Sequence, residues 1–287
     1  MTSVKDDFPS RTAYGVAMSR AAHQILDSPR VLDDPVALAI MGPKAAGAIR
    51  AAPRRFDHRF ARQLRAFLVA RSRLAEDALG EAVARGVRQY VVLGAGLDTF
   101  AFRNPHAAAG LRVFEVDHPA TQEWKRSLIS QAHLKPPGPL VYVPVDFERE
   151  QLDARLAANG FRADEPAFFS WLGVTMYLSR EAIAGTLGFV ARCSVSRSGI
   201  VFDYLVAPPR WALLRRWGLA LLMRHLAAAG EPWRTFLEPA SLHRELTQLG
   251  FATVRDFGAE EINARYFEGA GAHLRAGGSA RVVLARI

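Results

Sequence analysis

The sequence predicts an α/β fold: a seven-stranded, mostly parallel sheet with helices on both faces. The first observation behind this is the stretch 90–103, where the apolar run Tyr90, Val91, Val92, Leu93 passes directly into Gly94, Ala95 and Gly96. A short continuous apolar run ending in closely spaced glycines reads as a buried parallel strand that turns sharply into the next element. The second is the recurrence of strand-like runs at 112–117, 140–145, 166–172, 198–205, 251–257 and 280–287. The third is size: 287 residues, 50% of them hydrophobic, suffice for one large α/β domain, and no repeat, low-complexity tract or linker divides them. One domain over 1–287 is therefore expected. It comprises an N-terminal helical cap at 10–88, a ligand-binding core at 89–205, a helical lid inserted at 206–240 and the remainder of the sheet at 241–287.

Taken in order, residues 13–25 carry a helical apolar pattern behind Ser10 and Thr12, which can cap it. Asp33-Asp34-Pro35 opens a second helix, since proline is tolerated in a first turn. Apolar residues at Phe60, Leu64, Phe67, Leu68, Leu74 and Leu79, with the stem of Arg71, give 56–85 an amphipathic spacing. So much helix ahead of the first strand is expected to cap the ligand crevice. At the glycine turn, Gly94 can take a positive φ and Gly96 has no Cβ. A ligand can therefore lie against bare backbone at the carboxyl end of the strand, where open α/β sheets bind their ligands.

Thr99 stands where a dinucleotide fingerprint needs its third glycine, which argues against NAD and FAD. The second strand ends in Asp117, 23 residues past Gly94, where a carboxylate can accept both hydroxyls of a ribose. The third ends in Asp146 and Phe147, an acceptor for an exocyclic amine beside a ring face, which suits adenine. With no phosphate cradle and no Walker lysine, the pattern points to an adenosyl ligand without phosphates, S-adenosylmethionine being the obvious candidate. The fourth strand spans 166–172, and Ser179 starts the helix after it. The fifth, 198–205, is ended by Pro208 and Pro209. Trp211, Trp217, Leu221, Leu222 and Leu226, punctuated by Arg215, Arg216 and Arg224, form the expected lid over a substrate pocket. Their apolar residues cover too much of the helix circumference for an interfacial membrane helix. Glu238 opens a further helix, and 274–279, between the last two strands, is expected as a flexible loop.

These stretches resemble the leucine carboxyl methyltransferase family of class I S-adenosylmethionine-dependent methyltransferases, in the actinobacterial branch that includes tetracenomycin-type tailoring enzymes. The resemblance rests on Ser19-Arg-Ala with Leu32-Asp-Asp-Pro35, on Leu93-Gly-Ala-Gly-Leu-Asp-Thr99, on Phe114-Glu-Val-Asp117 with Pro119 and Lys125, and on Val145-Asp-Phe147. A late segment from Gly230-Glu-Pro-Trp to Asn263-Ala-Arg-Tyr-Phe267 extends it over nearly the whole chain. It implies a Rossmann-like fold with S-adenosylmethionine as cofactor, held at Gly94, Ala95, Gly96, Asp117, Asp146 and Phe147. It also implies cations for the methionine carboxylate, at motif positions matching Arg20 and Arg71. The broader family ends its fourth strand with a glutamate near the ligand. Here Leu172 stands there, so Asp117 is left as the main ribose ligand, and the flanking Trp171 joins the expected cofactor-binding set.

Methyl transfer from a sulfonium is a direct displacement that gains from alignment and from excluding water. A carboxylate acceptor needs an anchor and no base, whereas a phenol, indole or enol carbon needs a group to take its proton. His118, His225, His243, Tyr177, Tyr204, Asp203 and Glu238 are available, and no spacing chooses among them. Tyr204, just past the fifth strand, and His225, in the lid, are the catalytic candidates. Trp211, Trp217, Trp233 and Phe236 suit a flat hydrophobic acceptor. The expected activity is methyl transfer to a small, largely hydrophobic metabolite at a carboxyl or hydroxyl oxygen. Transfer to carbon or nitrogen of an aromatic or indole-like product of secondary metabolism stays open, as does a binding protein that keeps the adenosyl site without turnover.

The formal net charge is +9, but only four residues are lysines and no basic run reaches five residues, so no nucleic-acid partner is expected. The lone Cys193 excludes an internal disulfide and a cysteine metal site, and the eight histidines show no H-x-x-H or H-E-x-x-H spacing, so no metal is expected. The first residues lack the apolar core of a signal peptide, and no apolar run approaches the roughly 20 residues of a membrane span. A cytoplasmic protein with a small-molecule partner and no membrane association is expected; no feature specifies an oligomeric state.

Overall fold

In the computed structural model, several helices begin where a side chain accepts from a free backbone N–H. The structure describes residues 10–147, 149–193, 197–208, 223, 224, 227, 232–268 and 273–287. Ser10 accepts from Ala13 N at 3.1 Å and starts α1 (Arg11–Leu26). Asp34 accepts from Ala37 N at 3.1 Å and starts α2 (Pro35–Ala51), with Pro35 in the first turn. Such a cap contributes about 1 kcal/mol. A short α3 (Pro53–Phe56) leads to α4 (Arg59–Ala84), whose buried stripe includes Ala70, Arg71, Leu74, Ala78 and Ala82.

Seven strands follow: β1 (Gln89–Leu93), β2 (Arg112–Asp117), β3 (Leu140–Pro144), β4 (Ala167–Trp171), β5 (Gly199–Leu205), β6 (Thr253–Phe257) and β7 (Ala280–Arg286). They form one sheet in the order β3-β2-β1-β4-β5-β7-β6. The first five pair in parallel, and β7 runs antiparallel to both β5 and β6. Helices α5 (Pro119–Gln131), α6 (Leu152–Ala158) and α7 (Arg180–Arg192) make the crossovers, while α8 (Pro239–Gln248) and α9 (Ala259–Tyr266) flank β6. Chain order reverses between β1 and β4, so a crevice opens at their carboxyl ends, the switch point at which such sheets bind ligands.

Strand alternation sorts side chains between two cores. Tyr90, Val92, Phe168 and Val201 face a core shared with α4. Val91, Leu93, Phe169, Trp171, Phe202 and Tyr204 face the opposite core, shared with α7 and α8. The stretch 274–279, expected as a flexible loop, is anchored instead. Leu274 and Ala276 are buried, and the Asn263 side chain donates to Ala276 O at 3.0 Å and accepts from Ala276 N at 2.7 Å. Most of the expected lid, with Trp211, Trp217 and His225, lies outside the described residues. Its described end, 232–238, is bonded to the core: Arg234 N donates to Met176 O at 2.7 Å, and Thr235 Oγ1 to Leu178 O at 2.6 Å. Among the described residues no helix is long and apolar enough to cross a membrane.

Candidate functional site

A cavity of about 280 Å³ lies at the carboxyl ends of β1, β2 and β4, between the sheet and helices α1 and α4. The glycine turn forms part of its wall. Gly94 and Gly96 have φ of +66° and +49°, the left-handed region in which a side chain is strained. A Cβ on Gly94 would collide with Val174 Cγ2, and one on Gly96 would stand 3.2 Å from Ala13 Cβ. Gly94 N and Ala95 N donate to Val116 O at 2.8 and 3.0 Å, which holds the turn against the end of β2. That register brings Asp117 to the turn. One of its carboxylate oxygens accepts from Gly96 N, the other from His118 N at 2.7 Å. A carboxylate offers about four lone-pair positions, so both oxygens keep acceptor capacity beside the cavity that Asp117 lines. Burial pushes the Asp117 carboxyl up, against those two N–H groups and the Lys125 ammonium.

The two ends of the cavity differ. At the half-buried end His118, Asp146 and Phe147 line the wall, and His118 caps α5, its Nδ1 accepting from Ala120 N at 3.4 Å. At the other end Arg71 and Ser72 of α4 meet Tyr90, Phe100 and Ser170, all buried. Arg71 Nη1 donates to Asp203 Oδ2 at 2.5 Å, and Asp203 Oδ1 accepts from Gly173 N at 2.5 Å. Gly173 makes room for the guanidinium, since a Cβ there would stand 2.9 Å from Arg71 Nη2. Arg71 Nε is buried without a hydrogen-bond partner. An unsatisfied buried donor on a charged group is costly, so an acceptor reaching it from the cavity is strongly favoured.

Arg20 sits in a network that ties the cap to the turn. Its Nε donates to Asp34 Oδ2 at 2.9 Å, Nη1 to Asp98 Oδ2 at 2.8 Å and Nη2 to Thr99 Oγ1 at 2.9 Å. Thr99, in place of a third glycine, donates in turn to Asp34 at 2.8 Å. Breaking one partner out of a buried pair of this kind costs about 3–5 kcal/mol. Burial pushes Asp98 upward, but Arg20, Lys125 and Arg103 outweigh it and hold the carboxyl at about 2. On β2, Glu115 pairs with Lys125 at 2.6 Å, both buried; burial pushes Glu115 up to about 7 despite that ammonium.

The cavity thus brings Arg20, Arg71, Gly94, Ala95, Gly96, Asp117, Asp146 and Phe147 onto one wall system. Trp171 and Tyr204 are corrections to the expected set. Both are fully buried in the opposite core, and the Tyr204 hydroxyl donates to Asp256 Oδ2 at 2.7 Å. Alternation is the reason: Ser170 and Asp203, one residue earlier on each strand, take the cavity side. Arg20 reaches the wall with all three nitrogens engaged, so it is a counter-ion within the network and not a free cation. Among the other acid–base candidates, Asp203 holds Arg71, Glu238 caps α8, and His243 meets Asp256 at 3.0 Å. Tyr177 lines the cavity and donates to Thr12 Oγ1 at 3.2 Å. Glu76 and Ser170 on the wall escaped the sequence reading, because packing alone brings α4 to the turn and strand pairing alone sets which β4 residues face it; Asp98 lies within the glycine motif but was given no role there. Among the described residues no group of three or more His, Cys, Asp or Glu side chains is arranged to hold a metal ion.

The fold and the crevice define an open α/β protein with a ligand cavity at the topological switch point of its sheet. A model of the leucine carboxyl methyltransferase family matches residues 13–191, and the chain belongs to that family, within the S-adenosylmethionine-dependent methyltransferases. YktD of Bacillus subtilis, provisionally named an S-adenosyl-L-methionine-dependent methyltransferase, is 32% identical, covering 90% of this chain and 91% of its own. A Streptomyces coelicolor relative under the same provisional name is 38% identical over 65% of this chain and 66% of its own. Two solved structures share the fold. A DUF574 family protein of Streptomyces avermitilis is 16% identical with a TM-score of 0.54, covering 95% of this chain and 96% of its own. A Thermobifida fusca protein provisionally named a methyltransferase is 18% identical with a TM-score of 0.53, covering 98% and 96%.

Proposed function

We propose that the cavity takes S-adenosylmethionine with its adenosine at the half-buried end and its amino-acid part at the Arg71 end, and that the methyl group goes to a carboxyl or hydroxyl oxygen of a small, largely hydrophobic metabolite. The observation that carries the donor reading is Asp117, a carboxylate held by two backbone N–H groups with acceptor capacity left on both oxygens beside the cavity. Bound S-adenosylmethionine supplies an electrophilic methyl group on a sulfonium. The chain holds and orients it. Asp117 accepts from the ribose hydroxyls, Asp146 from the adenine amine, and Phe147 offers a ring face. Gly94 and Gly96 leave the backbone bare, where a Cβ would be strained and crowded. The Nε edge of Arg71, lacking a partner, takes the methionine carboxylate.

Val16, Leu172, Val174 and Leu178 make the remaining wall apolar, with Tyr177 as its polar group. The end of the lid is bonded to Met176 O and Leu178 O, so an acceptor lying against Tyr177 and Leu178 is shielded from water on that side. An acceptor that is already a carboxylate needs alignment and no base, which suits this apolar stretch of wall, where the Tyr177 hydroxyl is bonded to Thr12. The test is incubation with methyl-labelled S-adenosylmethionine and a panel of medium-chain fatty acids, aromatic acids, phenols and indoles. Label in a base-labile ester or a stable ether is expected. Label confined to carbon or nitrogen of the indoles overturns the oxygen assignment.

A further inference from the structure

The Arg20–Asp98 pair is asymmetric toward the cavity. The arginine side chain is 4% exposed and directs its nitrogens to Asp34, Asp98 and Thr99, whereas the aspartate is 21% exposed; both residues line the cavity. The charge offered to a ligand at that point is therefore negative. Asp98 Oδ1 accepts from Phe100 N at 2.8 Å and Oδ2 from Arg20 Nη1 at 2.8 Å, which leaves a lone pair on each oxygen. Glu76, a neighbouring acid on the wall, has both oxygens clasped by Arg103. Asp117 and Asp146 stand at the ends of β2 and β3, on the adenosine side. Asp98 and Arg71 thus present one anion and one incompletely bonded cation to the same cavity, the complement of a zwitterionic α-amino acid.

We propose that Asp98 binds the α-ammonium of the donor, with Arg20 positioning it as counter-ion, while Arg71 takes the carboxylate. The proposal rests on the donor reading above. It also gives Arg20 a role other than the carboxylate contact expected from its motif position. With its carboxyl held at about 2, Asp98 stays charged at any working pH.

Calorimetric titration with three ligands tests it: S-adenosylhomocysteine, its deaminated analogue, and 5′-methylthioadenosine, which carries neither charge of the amino acid. The wild-type protein is expected to bind the deaminated analogue about tenfold or more weaker than S-adenosylhomocysteine, the scale of one hydrogen bond between charged groups. In Asp98→Asn that preference disappears, S-adenosylhomocysteine weakens by about tenfold or more, and 5′-methylthioadenosine stays within about threefold. Equal wild-type affinity for the first two ligands overturns the proposal without recourse to any variant. Equal weakening of all three in Asp98→Asn overturns it as well, since Asp98 would then only support the turn. Wild-type protein that binds 5′-methylthioadenosine but ignores the ammonium refutes this proposal alone. Binding of none of the three refutes the donor reading and this proposal together.

Discussion

Replacing Asp117 with alanine probes the donor site where its geometry is best defined. The substitution deletes the acceptors for two hydroxyls and leaves Gly96 N and His118 N without their carboxylate. A hydrogen bond to a charged group contributes about 1.5–3 kcal/mol, so two amount to roughly 3–6 kcal/mol. Water can enter the cavity and re-solvate both the freed N–H groups and the hydroxyls, which favours the lower half of that range. A loss of about 3–4 kcal/mol, or roughly 150- to 700-fold in Kd, is expected. Stability should change little, because removing a carboxyl that burial disfavours offsets the two lost backbone contacts. The assay is calorimetric titration of S-adenosylhomocysteine, with thermal melts by circular dichroism to verify folding. A second arm uses the 2′-deoxy analogue, which should bind the wild type about tenfold weaker yet bind the variant as well as the parent ligand does. A folded variant within about threefold of wild-type affinity, or one that still distinguishes the two ligands, refutes the ribose assignment.

Three further outcomes are expected. Glu115, pushed by burial from 4.5 to about 7, binds its proton more tightly in the folded than in the unfolded chain. Its stabilising contribution is full below the unfolded value and is lost as pH rises through the folded one. The melting temperature of wild type minus that of Glu115→Gln should therefore decline between the two values and level off above; a difference flat with pH refutes it. Gly94→Ala meets a left-handed backbone, costing about 1–2 kcal/mol, and a collision with Val174 besides. Its urea midpoint should drop and its donor affinity fall with it, so an unchanged midpoint contradicts the reading of the turn. Tyr204→Phe removes the hydroxyl from Asp256, which should lower stability by about 1 kcal/mol and leave kcat unchanged. A stable Tyr204→Phe variant with kcat down by about tenfold would return Tyr204 to the chemistry.

The strands are legible because parallel strands buried on both faces read as unbroken apolar runs, and the glycine turn because few residues other than glycine tolerate its φ values. Caps are legible for the same local reason: Ser10, Asp34, Ser179 and Glu238 all accept from the first turn of the helix they precede. What an unbroken apolar run conceals is its parity. Nothing local tells whether Ser170 or Trp171 faces the crevice, or Asp203 or Tyr204; that is decided when β4 pairs with β1 and β5 with β4. The partners of Arg20 are hidden for a related reason. Asp98 and Thr99 meet it only because α1 is packed across the turn, so an arginine at a motif position reads as a free cation until those partners are in place.

Strand β7 comes last of the seven in the chain yet lies between β5 and β6. While the protein is being synthesised, β5 therefore emerges with its far edge unpaired, and β6 has no neighbour to join. An unpaired strand edge is a template for the wrong partner, including another nascent copy. The cap helices, β1 to β4 and their crossovers already contain most of the ligand wall by then, but Asp203, which fixes Arg71, stands on that open-edged β5. Ligand present during synthesis would consequently favour the half that is already assembled, and the interval before β7 arrives is the one in which a chaperone would matter most.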